Sequence, residues 1–93
     1  LQMVDAAKAG KLKALWTIGY DVFLSNANSH ETERSLAGLE LCIVQDLFMN
    51  ETAKRFAHVF LPAQSSFEKD GTFMNAERRI QRIRRSVAPR GKS

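Results

Sequence analysis

The run Leu39-Glu40-Leu41-Cys42-Ile43-Val44 constrains this chain most, because it is apolar over almost its whole length and then stops at the polar pair Gln45-Asp46. A strand wetted on one face alternates apolar and polar residues, whereas a nearly unbroken apolar strand is expected at the centre of a parallel sheet covered on both sides. Two shorter segments share its character. Residues 14–18 (Ala-Leu-Trp-Thr-Ile) are closed by Gly19-Tyr20-Asp21, and residues 58–61 (His-Val-Phe-Leu) are stopped by Pro62. Helical patterns precede and separate these strands. Residues 2–9 are good helix formers with Met3, Ala6 and Ala7 at helical spacing, and Gly10 supplies a stop. Residues 30–37 follow the cap-rich stretch 25–29, in which Ser29 approximates a capping box, and end near Gly38. Asn50 reads as the N-cap of a short helix that runs to about Phe56.

Strand, helix, strand, helix, strand with short connections predicts an α/β fold class: a small three-layer Rossmann-like domain with a short parallel sheet, helices on its faces and an irregular C-terminal extension. Within one domain of 93 residues, 1–62 form the βαβαβ-type core, 63–83 a loop followed by extended pieces, and 84–93 a basic tail leaving the domain.

Cysteine and charge narrow the chemistry. Cys42 is the only cysteine, so no internal disulfide and no cysteine-built zinc or iron-sulfur site can form within the chain. Its apolar neighbours make it a core residue. No apolar run approaches the roughly 18 residues of a membrane span. The chain starts at Leu1 without the pattern of a secretory signal, as expected of a piece of a longer polypeptide; localisation rests on the longer protein, with a cytoplasmic setting favoured. Of the net charge of +4, residues 1–75 hold seven Lys/Arg against nine Asp/Glu, and residues 76–93 hold seven against one. The basicity belongs to the tail. It permits an alternative function, a small basic interaction module binding nucleic acid or an acidic protein through residues 78–85.

In an open parallel sheet, ligands bind outside the carboxyl ends of the strands. Three polar clusters occupy such positions here: Gly19-Tyr20-Asp21, Gln45-Asp46, and the loop carrying Glu68-Lys69 after the third strand. A carboxylate at Asp46 can accept two hydrogen bonds from N1 and the N2 amino group of a guanine, a donor pair that adenine lacks on that edge. Lys69 can meet a phosphate or a purine or pterin oxygen. The structural alternatives are that Asp46 caps a neighbouring helix and that Lys69 pairs with a surface acid.

Residues 68–81, Glu-Lys-Asp-Gly-Thr-Phe-Met-Asn-Ala-Glu-Arg-Arg-Ile-Gln, carry the most specific pattern. Together with Ile18-Gly19-Tyr20-Asp21, Leu41-Cys42-Ile43-Val44-Gln45-Asp46-Leu47-Phe48, Glu51-Thr52-Ala53 and Phe60-Leu61-Pro62-Ala63, this stretch resembles the large molybdopterin oxidoreductases, most nearly the catalytic subunit of molybdenum formate dehydrogenases. The resemblance implies a Rossmann-like domain gripping the guanosine end of molybdopterin guanine dinucleotide. It places Gln45 and Asp46 on the guanosine-contacting strand end, Lys69 on the cofactor-contacting lysine, and Gly19, Tyr20 and Asp21 on a further cofactor-contacting turn. The usual Gly-Glu-Asn-Pro of that turn is Gly19-Tyr20-Asp21-Val22 here, so an amide becomes a carboxylate that repels phosphate. His58 stands where an aspartate is usual, and neither it nor His30 is assigned a metal or catalytic role. A complete enzyme of this kind also needs a molybdenum ligand, a second pterin-binding domain and usually an iron-sulfur cluster. Its remaining domains are the expected partners, and the chain alone is expected to be inactive.

Overall fold

A computed structural model describes residues 2–93. The chain divides into two compact units, the first ending at Leu61 and the second comprising Pro62–Ser93. In chain order the elements are α1 (Gln2–Lys8), β1 (Ala14–Ile18), α2 (Val22–Ser25), α3 (Ser29–Ala37), β2 (Leu41–Asp46), α4 (Glu51–Phe56), β3 (Val59–Pro62), β4 (Gly71–Met74) and β5 (Ile80–Ile83).

The first sheet has the order β1-β2-β3, with β2 central as its apolar run requires. β1 and β2 are parallel, with Leu15 opposite Cys42 and Thr17 opposite Val44. Alternate strand residues share a face, so these four side chains form one surface of the sheet. Thr17, Cys42 and Val44 are buried on it, and Leu15 packs against the same core as Leu36, Leu39, Val22 and Ala53. The opposite surface carries Trp16 and Ile18, which are 55% and 63% exposed. Strand order explains the asymmetry. When consecutive crossovers step in the same direction with the usual right hand, their helices fall on one side of the sheet. The α/β class and short parallel sheet are those expected, and the helices contact one another in sequence, α1 on α3, α3 on α2 and α2 on α4.

Local boundaries follow capping chemistry. Asn28, rather than Ser29, caps α3 by accepting a hydrogen bond from the Glu31 N–H. Asn50 caps α4 through the Ala53 N–H, as its position predicts. The short helix α2 had no expected counterpart. Its N-cap is Asp21. At the third strand, the His58 N–H donates to the Cys42 carbonyl while His58 Nδ1 accepts from the Cys42 N–H at 2.9 Å, so the imidazole continues the β2–β3 ladder by one rung. A carboxylate could accept the same bond. Cys42 is fully buried, and burial pushes its thiol pKa up, as befits a core residue.

In the second unit, β4 and β5 form an antiparallel hairpin. The Asn75 side chain accepts from the Arg79 N–H, and the Arg78 N–H bonds the Asn75 carbonyl. Arg78 takes φ = 64°, the left-handed conformation that glycine usually supplies in such a turn. Residues 84–93 do not leave as a free tail. The N–H groups of Ser86 and Val87 bond the Phe67 carbonyl, the Arg85 N–H bonds Asp70, and the Arg90 N–H bonds Glu68. Backbone donors, which carry no side-chain signature, return the segment to the 65–70 loop.

Candidate site at the carboxyl edge of the parallel sheet

Gly19 closes β1 in a left-handed turn at φ = 62°, and its N–H bonds the Gln45 carbonyl at 2.8 Å. This bond ties the ends of β1 and β2 together. Around Gly19 a Cβ would meet nothing within 4 Å, so the residue is required for its backbone conformation and leaves open space at the edge. Gln45 and Asp46 are the last residues of β2 and are half-buried.

Asp46 is held in place by its own neighbourhood. One carboxylate oxygen accepts the Leu47 N–H at 2.7 Å and the other accepts the Asn50 side-chain amide at 2.9 Å. Asn50 in turn is fixed by capping α4. Each carboxylate oxygen has capacity for more than one donor, so this anchoring orients Asp46 without exhausting it. Leu47, Phe48 and Met49, which connect β2 to α4, are all exposed, and Phe48 is 79% exposed. They give the edge an apolar rim.

Asp21 lies on the other side of the first turn of α4 and behaves differently. One oxygen accepts the Thr52 hydroxyl at 2.6 Å and the Leu24 N–H at 3.2 Å, and the other accepts the Glu51 N–H at 3.3 Å. Thr52 is fully buried and also accepts the Phe23 N–H. Burial opposes ionisation of Asp21, yet these hydrogen bonds together outweigh it and hold the carboxyl below the ordinary carboxylate range. Thr52 is the residue that sequence reasoning missed. Its only signal is a hydroxyl in the first turn of a short helix, and its partner is 31 residues away.

These bonds settle the electrostatics of the edge. The N-termini of the helices following β1 and β2, where a dinucleotide phosphate commonly docks, are capped by Asp21, Asn50 and Thr52. The cations of α4 are also engaged: Lys54 and Arg55 lie 3.9 and 3.5 Å from Glu51, and the Arg55 guanidinium sits over the Phe23 ring. The edge therefore presents the carboxylates of Asp21 and Asp46 beside capped helix ends.

Tyr20 is half-exposed and lines an apolar cleft of about 360 Å³ beside α1, β1 and α3, together with Met3, Leu15, Trp16 and Leu36. Lys69 belongs to the second unit and is exposed on a loop fixed at both flanks. Glu68 accepts from the N–H groups of Ser65 and Arg90, and Asp70 accepts from that of Arg85. The structure thus gathers Gly19, Asp21, Gln45 and Asp46 about one edge of the first unit, and holds Lys69 on a stapled loop of the second. Among the described residues, no three His, Cys, Asp or Glu side chains cluster to hold a metal ion, and no helix is long and apolar enough to cross a membrane.

The sequence model of the molybdopterin oxidoreductase family matches residues 1–93. The F420-dependent formate dehydrogenase 1 subunit alpha of Methanococcus maripaludis is 46% identical over 88 residues, which is 94% of this chain and 13% of that protein. The corresponding F420-dependent formate dehydrogenase subunit alpha of Methanocaldococcus jannaschii is 43% identical over 93 residues, 99% of this chain and 13% of that protein. YrhE of Bacillus subtilis is 42% identical over 91 residues, 98% of this chain and 9% of that protein. The chain spans about 9–13% of the length of these relatives.

Proposed function

Because the chain belongs to the molybdopterin oxidoreductase family, we propose that it is the part of a longer catalytic subunit that holds the guanosine end of molybdopterin guanine dinucleotide. Gln45 and Asp46 bind the base and Gly19 borders it, while Tyr20 and Lys69 are candidates on the resemblance alone, Tyr20 lining the cleft beside α1 and α3 and Lys69 standing on a loop of the second unit. The observation that carries this reading is the carboxylate of Asp46, fixed by Leu47 and Asn50 at the carboxyl edge of a parallel sheet. An anchored carboxylate recognises adjacent N–H donors on a guanine with little loss of side-chain entropy.

The residues fit the base and not the diphosphate. Asp21 is removed from the cofactor-contacting set in this reading, since its oxygens already serve Thr52, Leu24 and Glu51. The capped ends of α2 and α4 leave the phosphates to other groups. When bound, the group supplies the redox chemistry of a molybdenum centre. The residues of this chain bind and orient its nucleotide end.

The longer protein is proposed to oxidise formate, with the metal ligand, a second pterin-binding region and an iron-sulfur cluster elsewhere in it. Those regions are this chain's partners, and the 93 residues alone are expected to have no formate dehydrogenase activity. Heteronuclear NMR titration with guanosine and adenosine monophosphates tests the site. Guanosine monophosphate is expected to perturb Gln45, Asp46 and the 47–49 loop, with adenosine monophosphate weaker by roughly tenfold or more. Perturbations confined to other residues, or equal responses to both nucleotides, contradict the assignment.

A further inference from the structure

Residues 47–50 connect β2 to α4, and the two ends of this connection are not equally supported. α4 is anchored in the core. Thr52 and Ala53 are buried, and the Thr52 hydroxyl accepts the Phe23 N–H and donates to Asp21. Asp46, by contrast, is half-buried, and Leu47, Phe48 and Met49 after it are exposed. Among the described residues its carboxylate has two holds. The Leu47 N–H belongs to the adjoining residue on the exposed loop, so it moves with Asp46 and ties it to nothing else. The Asn50 amide is the hold that reaches from the anchored helix.

Asn50 bridges the two ends because its side chain divides two tasks between two atoms. Its Oδ1 accepts the Ala53 N–H at 2.8 Å as the cap of α4, while its Nδ2 donates to Asp46 Oδ2 at 2.9 Å. Both atoms belong to one amide group, so fixing the oxygen on the helix fixes where the nitrogen donates. Capping alone does not call for this residue. Ser, Asp and Asn serve about equally at an N-cap. An aspartate there accepts the same N–H but turns a second carboxylate oxygen toward Asp46, which repels it.

We infer that Asn50 is a positioning residue for base selection, an inference that rests on the reading of Asp46 as the guanine acceptor. Asn50 transmits the rigidity of α4 to the Asp46 carboxylate, and so sets the preference for a base with adjacent N–H donors. It touches Asp46 and acts through it. A carboxylate held by the Leu47 N–H alone turns more freely, and loses that freedom when it meets both donors of a base. The cost falls on discrimination, because one hydrogen bond tolerates a turned carboxylate whereas a bidentate pair does not.

The test compares the 93-residue chain with its Asn50→Asp and Asn50→Gly variants. Aspartate keeps the cap and glycine weakens it only slightly, yet neither side chain donates to Asp46. Two quantities are read: the ratio of guanosine to inosine monophosphate affinity, in which the shared phosphate cancels, and amide hydrogen exchange of the free chain. Both variants are expected to lower the ratio by roughly fivefold and to speed exchange at Leu47 by roughly threefold. The Arg55 and Phe56 amides of α4 are expected to keep their protection. An unchanged ratio in both variants, where Asp46→Asn lowers it, overturns this inference alone. A native chain that does not distinguish the two nucleotides removes the base site and this inference with it. Protection lost across α4 in both variants makes Asn50 a structural cap, and likewise overturns the positioning role.

Discussion

The two units stabilise themselves by different means. The first closes an apolar core around Val44, Cys42, Leu36 and Leu39, and uses carboxylates to cap helices and pair with cations. The second has no buried residue among Pro62–Ser93, and is held by acids that accept backbone N–H groups across short loops. Burial gives cooperative stability with steep penalties for a lost side chain. Hydrogen bonds made near solvent give smaller, local contributions that open independently. In this family member, the region read as gripping the base has the first kind of support, and the conspicuous sequence signature has the second.

This contrast predicts a graded series of effects. Leu36→Ala removes a side chain that is 4% exposed in the core of the first unit, and is expected to cost about 2–5 kcal/mol in urea unfolding. A smaller loss would mean that the core is not the dominant support of this unit. Asp21→Ala removes the cap of α2 and the acceptor of Thr52 and Glu51, and is expected to cost about 1–2 kcal/mol.

Asp21 also makes stability depend on pH. Its folded pKa is lowered, so its contribution is complete above the ordinary carboxylate pKa near 3.9 and is lost as pH falls through the folded value. Asp21→Asn should flatten the acid limb of the stability curve; an unchanged limb would show that other groups govern it.

In the second unit the consequences should be local. The Ser65 N–H first, then the Ser65 side chain, the Arg90 N–H and the Arg90 charge, hold the Glu68 pKa low against a partial loss of hydration. The staple is therefore intact above the ordinary glutamate range and opens as pH falls through the folded value. Glu68→Ala is expected to speed hydrogen exchange at Ser65 and Arg90 by roughly fivefold, leaving the amides of β2 unchanged. Acceleration in β2 as well would mean that the two supports are not separable. The smallest effect is a gain. Arg78→Gly relieves a left-handed non-glycine residue in the hairpin turn, and should stabilise the hairpin by about 1 kcal/mol, read from its amide protection.

What could be read in the sequence divides along similar lines. β1, β2 and α4 were legible because apolar runs, Gly19 and Asn50 are local signals of strand, turn and cap. The strand-end positions of Gln45 and Asp46 followed from the same pattern. Helix α2 was not legible, since Val22-Phe23-Leu24 is equally apolar in a strand and its cap depends on a bond from Asp21 to distant Thr52. The docked end of the chain was invisible because its donors at Arg85, Ser86, Val87 and Arg90 are backbone groups. At the site, the sequence set Asp21 apart only as a carboxylate that would repel phosphate, and offered Asp46 as either a base acceptor or a helix cap. Only their partners distinguish a carboxylate already enclosed by donors from one oriented with acceptor capacity remaining.

That distinction is measured most directly by comparing guanosine and inosine monophosphates, which differ by the N2 amino group, against the native chain and Asp46→Asn. The native chain should prefer guanosine by about 1–3 kcal/mol, and Asp46→Asn should abolish most of that preference. Equal affinity of the native chain for the two nucleotides, or a guanosine preference that survives Asp46→Asn, would contradict recognition of the base by Asp46.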